Sequence, residues 1–116
     1  MKVVYPESGF GSIVGQILEQ KLKKPEKIEI AKRMRGGIAI EVEDLEAVAT
    51  VRFKGESIEV TNGKAEDVSS TISANFKVIN ELVSQPKTLK VLKLIITRKL
   101  KIKGFTMARM FSALLS

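Results

Sequence analysis

The sequence predicts an α+β domain: a five-stranded, mixed and mainly antiparallel sheet with about five helices gathered on one face. Two observations carry this. The runs "IAIEV", "AVATVRF" and "SIEVT" alternate apolar and polar side chains with the two-residue period of strands that are dry on one side and wet on the other. The elements also come in blocks (two helices, four strands, two helices, a strand, a helix), so the helices collect on the dry face instead of interleaving with a parallel sheet. At 116 residues the chain fits a single domain, 1–116.

Taken in order, Ser8 is placed to cap a first helix whose stripe is Phe10, Ile13, Val14, Ile17, Leu18 and Leu22, ending near "KKP". Pro25 suits the first turn of a second helix, in which Ile28, Ala31 and Met34 share a face, although Ile28 and Ile30 also alternate as on a strand. Gly36 and Gly37 end it. The three alternating runs, separated by "EDLE" and "KGE", read as an antiparallel meander, and Asn62-Gly63 marks a turn into a fourth, hydroxyl-rich strand, "DVSSTISA". A helix from about Asn75 to Val83 presents Phe76, Ile79, Leu82 and Val83. The next begins at Pro86 and sets Leu89, Leu92, Ile95 and Ile96 opposite Lys87, Lys90 and Lys93. A fifth strand, "KLKIK", follows the helical excursion and is free to pair in parallel with a neighbour. After Gly104 the period changes again, and Phe105, Met107, Met110, Phe111, Leu114 and Leu115 recur at helical spacing.

Composition removes most chemistry. With neither cysteine nor histidine there is no disulfide, thiol nucleophile, imidazole base or ordinary zinc site. "GFGSIVG" lacks the preceding strand and the spacing of a dinucleotide loop, so its glycines are read as allowing close packing. None of the nine serines stands on a nucleophile elbow, and the carboxylates of "EVEDLE" fall on a solvated turn. No catalytic residue, metal or cofactor is expected, and the chain is not read as an enzyme. The amino-terminal residues contain no apolar run of signal-peptide length, and lysines interrupt every other candidate span, so a cytoplasmic location is expected.

The net charge of +7 is unevenly spread. Residues 1–35 hold eight cations and four carboxylates, residues 36–84 four and nine, and residues 85–116 eight and none. The last segment predicts a positive surface that meets something anionic, a membrane or a nucleic acid.

The quoted segments also carry a resemblance. "KLKIKG" followed by a short helix of Met, Leu and Phe is similar to the carboxy-terminal end of the sterol carrier lipid-transfer domain family. "GGIAIEVED", "ATVRFKGESIEVTNGK" and the stretch from "DVSSTIS" to "FKVINELVSQP" resemble its earlier strands and its first helix after the sheet. The resemblance covers roughly residues 8–116. It implies a five-stranded mixed sheet with helices on one face, enclosing an apolar tunnel for a fatty acyl chain, a phospholipid or a sterol. Small residues such as Ser70 and Ala74 opposite long adaptable ones leave room for such a pocket, for which about 300–1,000 Å³ suffices.

The expected lining is Phe53, Ile72, Phe76, Ile79, Leu82, Leu92, Ile96, Met107, Met110, Phe111 and Leu114. The expected docking residues on an anionic membrane are Lys87, Lys90, Lys93, Lys99, Lys101 and Lys103, with the last helix moving aside to admit the tail. Two other readings compete: a basic nucleic-acid-binding protein, against which only six aromatics and an acidic middle can be set, and an accessory domain serving a partner enzyme.

Overall fold

The computed structural model describes residues 1–84 and 99–115, with the side chains of residues 82–84 outside that description. The helix expected from Pro86 lies outside the described residues. The elements are β1 (Lys2–Val4), α1 (Phe10–Lys21), α2 (Pro25–Arg33), β2 (Gly36–Val42), a 3₁₀ turn (Glu43–Leu45), β3 (Ala47–Phe53), β4 (Ser57–Asn62), β5 (Ser70–Ala74), α3 (Phe76–Ser84), β6 (Leu100–Lys103) and α4 (Phe105–Leu115). They form one mixed sheet in the order β1-β4-β3-β2-β5-β6.

The sheet has six strands, not five. The additional one, β1, is three residues long and pairs in parallel with β4 through Val3 and Ile58. "KVV" is too short to show a period, so its strand character comes from the partner. The last strand also differs from expectation: β6 runs antiparallel to β5, and the central parallel pair is β2 with β5. The excursion after β5 therefore returns the chain like a long hairpin.

Register places Ile38, Val51, Ile40, Ala49, Ile72, Ala74 and Leu100 on one face, and all are buried. That face is covered by α1 over β3 and β4 and by α4 over β5 and β6, with α2 packed against α4. Leu18, Met34 and Leu114, one from each helical layer or its end, lose all contact with water. At α1 the "GFGSIVG" glycines do permit close packing, since a Cβ on Gly15 would stand 2.2 Å from the Tyr5 ring.

The opposite face is only partly wet. Because β4 runs parallel to β2 and β5, the link from β4 to β5 is a crossover, and it is made by the seven residues 63–69 without a helix. Three inter-strand steps of about 4.8 Å span only about 14 Å, within reach of an extended seven-residue segment. The loop is tied down along its path. The Thr50 hydroxyl donates to the Gly63 carbonyl at 2.7 Å and accepts from the Ala65 N–H at 3.1 Å. Lys64 pairs with Glu41 at 2.9 Å, Arg52 with Asp67, and the Ser69 N–H donates to the Gly37 carbonyl at 2.8 Å. Thr50 and Ala39, which alternation assigns to water, are consequently 0% exposed. Hydrogen bonds from Lys64 and Ser73 hold the Glu41 carboxyl below the ordinary carboxylate range.

The first helix is capped from a distance. Gly9, not Ser8, holds the N-cap position, and no local side chain caps the helix. Asn62 at the end of β4 does so instead, its Oδ1 accepting from the Gly11 N–H at 2.7 Å and its Nδ2 donating to the Ser8 carbonyl at 3.1 Å. Asn62→Ala is expected to lower stability by about 1–2 kcal/mol, read as a lower urea midpoint at unchanged slope. Asn62→Asp, which keeps the acceptor and loses the donor, should lose less. An alanine variant with the original midpoint would remove this cap from the account of the fold.

Candidate functional site

Gly104 turns the chain from β6 into α4 with φ 76°, and a Cβ there would stand 2.2 Å from the Ser69 carbonyl oxygen and 2.9 Å from Ser70 Cα. Only glycine fits that approach. Beside it the Ser70 hydroxyl donates to the Lys103 carbonyl at 2.8 Å, which fixes the end of β6.

From this pivot α4 buries Met107, Ala108, Phe111, Leu114 and Leu115 against the sheet and exposes Thr106, Arg109 and Ala113. This is the one-sided stripe that the 3.6-residue period requires. The Phe111 ring meets Phe53 edge to face, with centroids 6.2 Å apart and planes at 74°. Across from the helix, β5 offers the small Ser70 and Ala74 around Ile72, and β6 adds Leu100 and the half-buried Ile102.

The far end of α4 is held by α2. Lys27 is 9% exposed, and its Nζ donates to the Ala113 carbonyl at 2.9 Å. A cation at that place satisfies a last-turn carbonyl and opposes the negative end of the helix dipole. Lys27 is not among the residues that the sequence singles out. The available signal was position: Lys27 and Ala31 stand four residues apart on α2, so a lysine shares the core-facing side of the buried Ala31.

Of the expected lining, Phe53, Ile72, Ile79, Met107, Phe111 and Leu114 belong to one buried cluster, and Met110 packs at its margin. Phe76 does not join them and is 49% exposed. It is the first residue of α3, with its N–H held by Asp44 Oδ1 at 2.8 Å, while Asn75 Oδ1 caps the helix at the Val78 N–H; the inward positions fall to Val78 and Ile79. The side chain of Leu82, and Leu92 and Ile96, lie outside the described residues, as do Lys87, Lys90 and Lys93. Lys99, Lys101 and Lys103 are exposed. Lys101 and Lys103 share the face of Thr71 and Ser73, away from α4, and Lys101 pairs with Glu43 at 3.2 Å.

A separate open groove of about 420 Å³ runs between Tyr5 and α1, lined by Gln16, Ile17, Glu19 and Gln20, and includes none of these residues. Among the described residues no group of three acidic side chains could hold a metal ion, and no helix is long and apolar enough to cross a membrane. What the α4 region offers chemically is apolar contact with side chains that adapt, under an element held along its inner face by packing and at its two ends by the Gly104 turn and the Lys27 bond.

Residues 14–116 match the family model described as the SCP-2 sterol transfer family. Among solved structures the chain is similar to UbiJ-SCP2, a ubiquinone synthesis protein, with TM-score 0.75, 20% identity and 90% of each chain covered. It is similar also to the sterol carrier protein domain 2 of Helicoverpa armigera, with TM-score 0.69 and 18% identity over 99% of this chain and 92% of that one. For the apo form of sterol carrier protein 2 from Yarrowia lipolytica the values are 0.65, 20%, 97% and 94%. At these identities the likeness is one of fold. No curated protein matches the chain.

Proposed function

We propose, because this chain belongs to the SCP-2 sterol transfer family, that it binds an acyl, isoprenoid or sterol-like lipid between the sheet and α4 and carries it between membranes. The observation that carries this reading is α4 itself. Met107, Met110, Phe111 and Leu114 form a continuous soft apolar face against a β5 whose neighbouring side chains are small. Unbranched thioethers re-pack at low cost, so such a face can yield to a tail without a matching rigid partner. Each methylene removed from water contributes about 0.8 kcal/mol, which is enough to hold a long tail without any polar contact.

Opening requires α4 to pivot at Gly104 and to break the Lys27 to Ala113 bond. Closing restores both. The carriage cycle makes and breaks no covalent bond and needs no cofactor. The lipid is collected at an anionic membrane surface, to which the cation-rich carboxy-terminal third brings the protein.

Native mass spectrometry of protein purified without detergent, before and after organic extraction, is expected to show a lipid-mass adduct that extraction removes. If no adduct appears, and fatty acids, acyl thioesters, phospholipids and sterols all fail to bind the extracted protein, the carrier reading is wrong and α4 is core alone.

A second reading is favoured by the similarity to a ubiquinone synthesis protein: the domain presents its lipid to a partner enzyme instead of a second membrane. The same adduct is expected, but transfer between vesicles would then be slow unless the partner is present.

A further inference from the structure

Resting on the carrier reading, we propose that the end of the molecule around Gly104 is the surface that meets an anionic, phosphate-bearing bilayer, and that Phe105 is the side chain that enters it. α2 and α4 lie side by side in opposite directions. Lys27 near the start of α2 reaches Ala113 near the end of α4. At the other end, Gly36 just after α2 and Gly104 just before α4 both close on Ser69. The carboxy-terminal end of α2, the end of β6 and the first turns of α4 therefore converge.

These three ends carry Lys32, Arg33, Arg35, Lys103 and Arg109, all exposed. None of the five forms an ion pair with a carboxylate among the described residues. Arg35 donates to the Met34 carbonyl at 2.8 Å and lies against Gly55 in the β3–β4 turn, so its charge is fixed in place without being neutralised. Carboxylates adjoining this end by position are Glu29, one turn back on α2, Glu56 in that turn, and Asp67, two residues before Ser69, which is already paired with Arg52. The opposite end of the sheet differs. There Lys99 and Lys101 share the edge with Glu43, Asp44 and Glu46, and Lys101 is already paired.

Phe105, two residues after Lys103 and one turn before Arg109, is 57% exposed. An exposed apolar ring at an end of the molecule that also carries lysine and arginine is the composition of an interfacial anchor, in which cations hold headgroup phosphates while the ring crosses into the acyl boundary. Nucleic acid is a weaker fit, because a single ring provides no row on which successive bases can stack. Position adds a mechanical point. Phe105 is the first residue after the Gly104 pivot, so a bilayer that draws the ring outward pulls on the first turn of α4 and favours opening.

The test measures co-sedimentation of the full chain with phosphatidylcholine vesicles alone and with vesicles about one-third phosphatidylglycerol. The original protein should bind the second kind, and bind less as salt rises. Arg33→Glu with Arg109→Glu should weaken that binding about tenfold or more, whereas Lys99→Glu with Lys101→Glu, an equal change in net charge at the other end, should weaken it less than about threefold. Phe105→Ser should weaken it at unchanged charge.

Equal losses from the two charge-reversed pairs, or full binding by Phe105→Ser, would overturn the proposal. So would a single-stranded oligonucleotide that displaces the protein from vesicles at physiological salt and does so with sequence preference. The adduct seen by native mass spectrometry should be the same in the Arg33, Arg109 variant as in the original. A missing adduct in the original protein would sink the carrier reading while leaving the vesicle comparison to stand or fall by itself.

Discussion

Gly104→Ala is expected to cost about 3 kcal/mol or more in folding stability, the sum of a left-handed backbone and a collision with main chain. The backbone part alone is about 1–2 kcal/mol for a residue with a Cβ. The collision is worse, because the atom in the way is the Ser69 carbonyl oxygen at 2.2 Å. That carbonyl has little room to retreat. The Ser69 N–H is bonded to the Gly37 carbonyl, and the next hydroxyl, of Ser70, is bonded to Lys103. Either the β5–β6 ladder or the first turn of α4 must shift. Gly63→Ala separates the two contributions, since Gly63 has φ 90° and nothing within 4 Å of a built Cβ. Urea denaturation of both variants gives the collision as their difference. Equal midpoints would mean that Ser69 moves freely and that Gly104 is not a fixed pivot.

Phe111→Ala is expected to be the most destabilising large-to-small change on α4, at about 3–5 kcal/mol. The ring is 3% exposed and sits edge to face on Phe53. A double-mutant cycle with Phe53→Ala should recover a coupling of about 0.5–1.5 kcal/mol for the aromatic pair, apart from the burial of each ring. The same variant reports on function. Removing the ring enlarges the apolar space beneath α4, and a ligand that binds only the folded state raises stability in proportion to its occupancy. Saturation with the bound lipid should therefore restore part of the lost stability in Phe111→Ala and more than it adds to the original protein. A loss below about 1 kcal/mol would place α4 outside the cooperative core, and no gain on lipid addition would separate Phe111 from the binding space.

Much of this architecture was legible because the relevant signals are local. The alternation of Ile38, Ile40 and Val42, of Val51 and Phe53, and of Ile58 and Val60 gave the meander, and Pro25 gave the start of α2. The stripe from Phe105 to Leu115 gave α4 and most of its inward face, although Phe105, in the first turn, is exposed. What escaped was decided by residues distant in the chain. β1 exists through pairing with β4, and the cap of α1 comes from Asn62, 51 residues from the N–H it satisfies. Phe76 shows how an apolar residue in the first turn of a helix can lie off the packed stripe when backbone bonds fix that turn. Lys27 is the converse, a charge drawn into the core because a helix end needed a cation. Of the expected docking residues, alternation on the last strand selects Lys99, Lys101 and Lys103 by the face of their side chains, and it carries no sign that Lys101 pairs with Glu43.

The connectivity of the sheet also bears on the order in which it assembles. The links within the β2, β3 and β4 meander are residues 43–46 and 54–56, so these pairings close short loops and lose little chain entropy. The rims are different. β1 meets β4 across the span from Lys2 to Ser57, and β6 meets β5 only after the chain has travelled from Ala74 to Leu100. Contacts of such separation form late and slow the approach to the native state, and under native conditions the rims of a structure are the first parts to fluctuate open. α4 is attached to one of those rims. Under the proposed carrier reading, the helix that would yield to a tail is thus borne by a strand whose pairing is among the costliest to close, so its movement about Gly104 would leave intact the meander that holds the rest together.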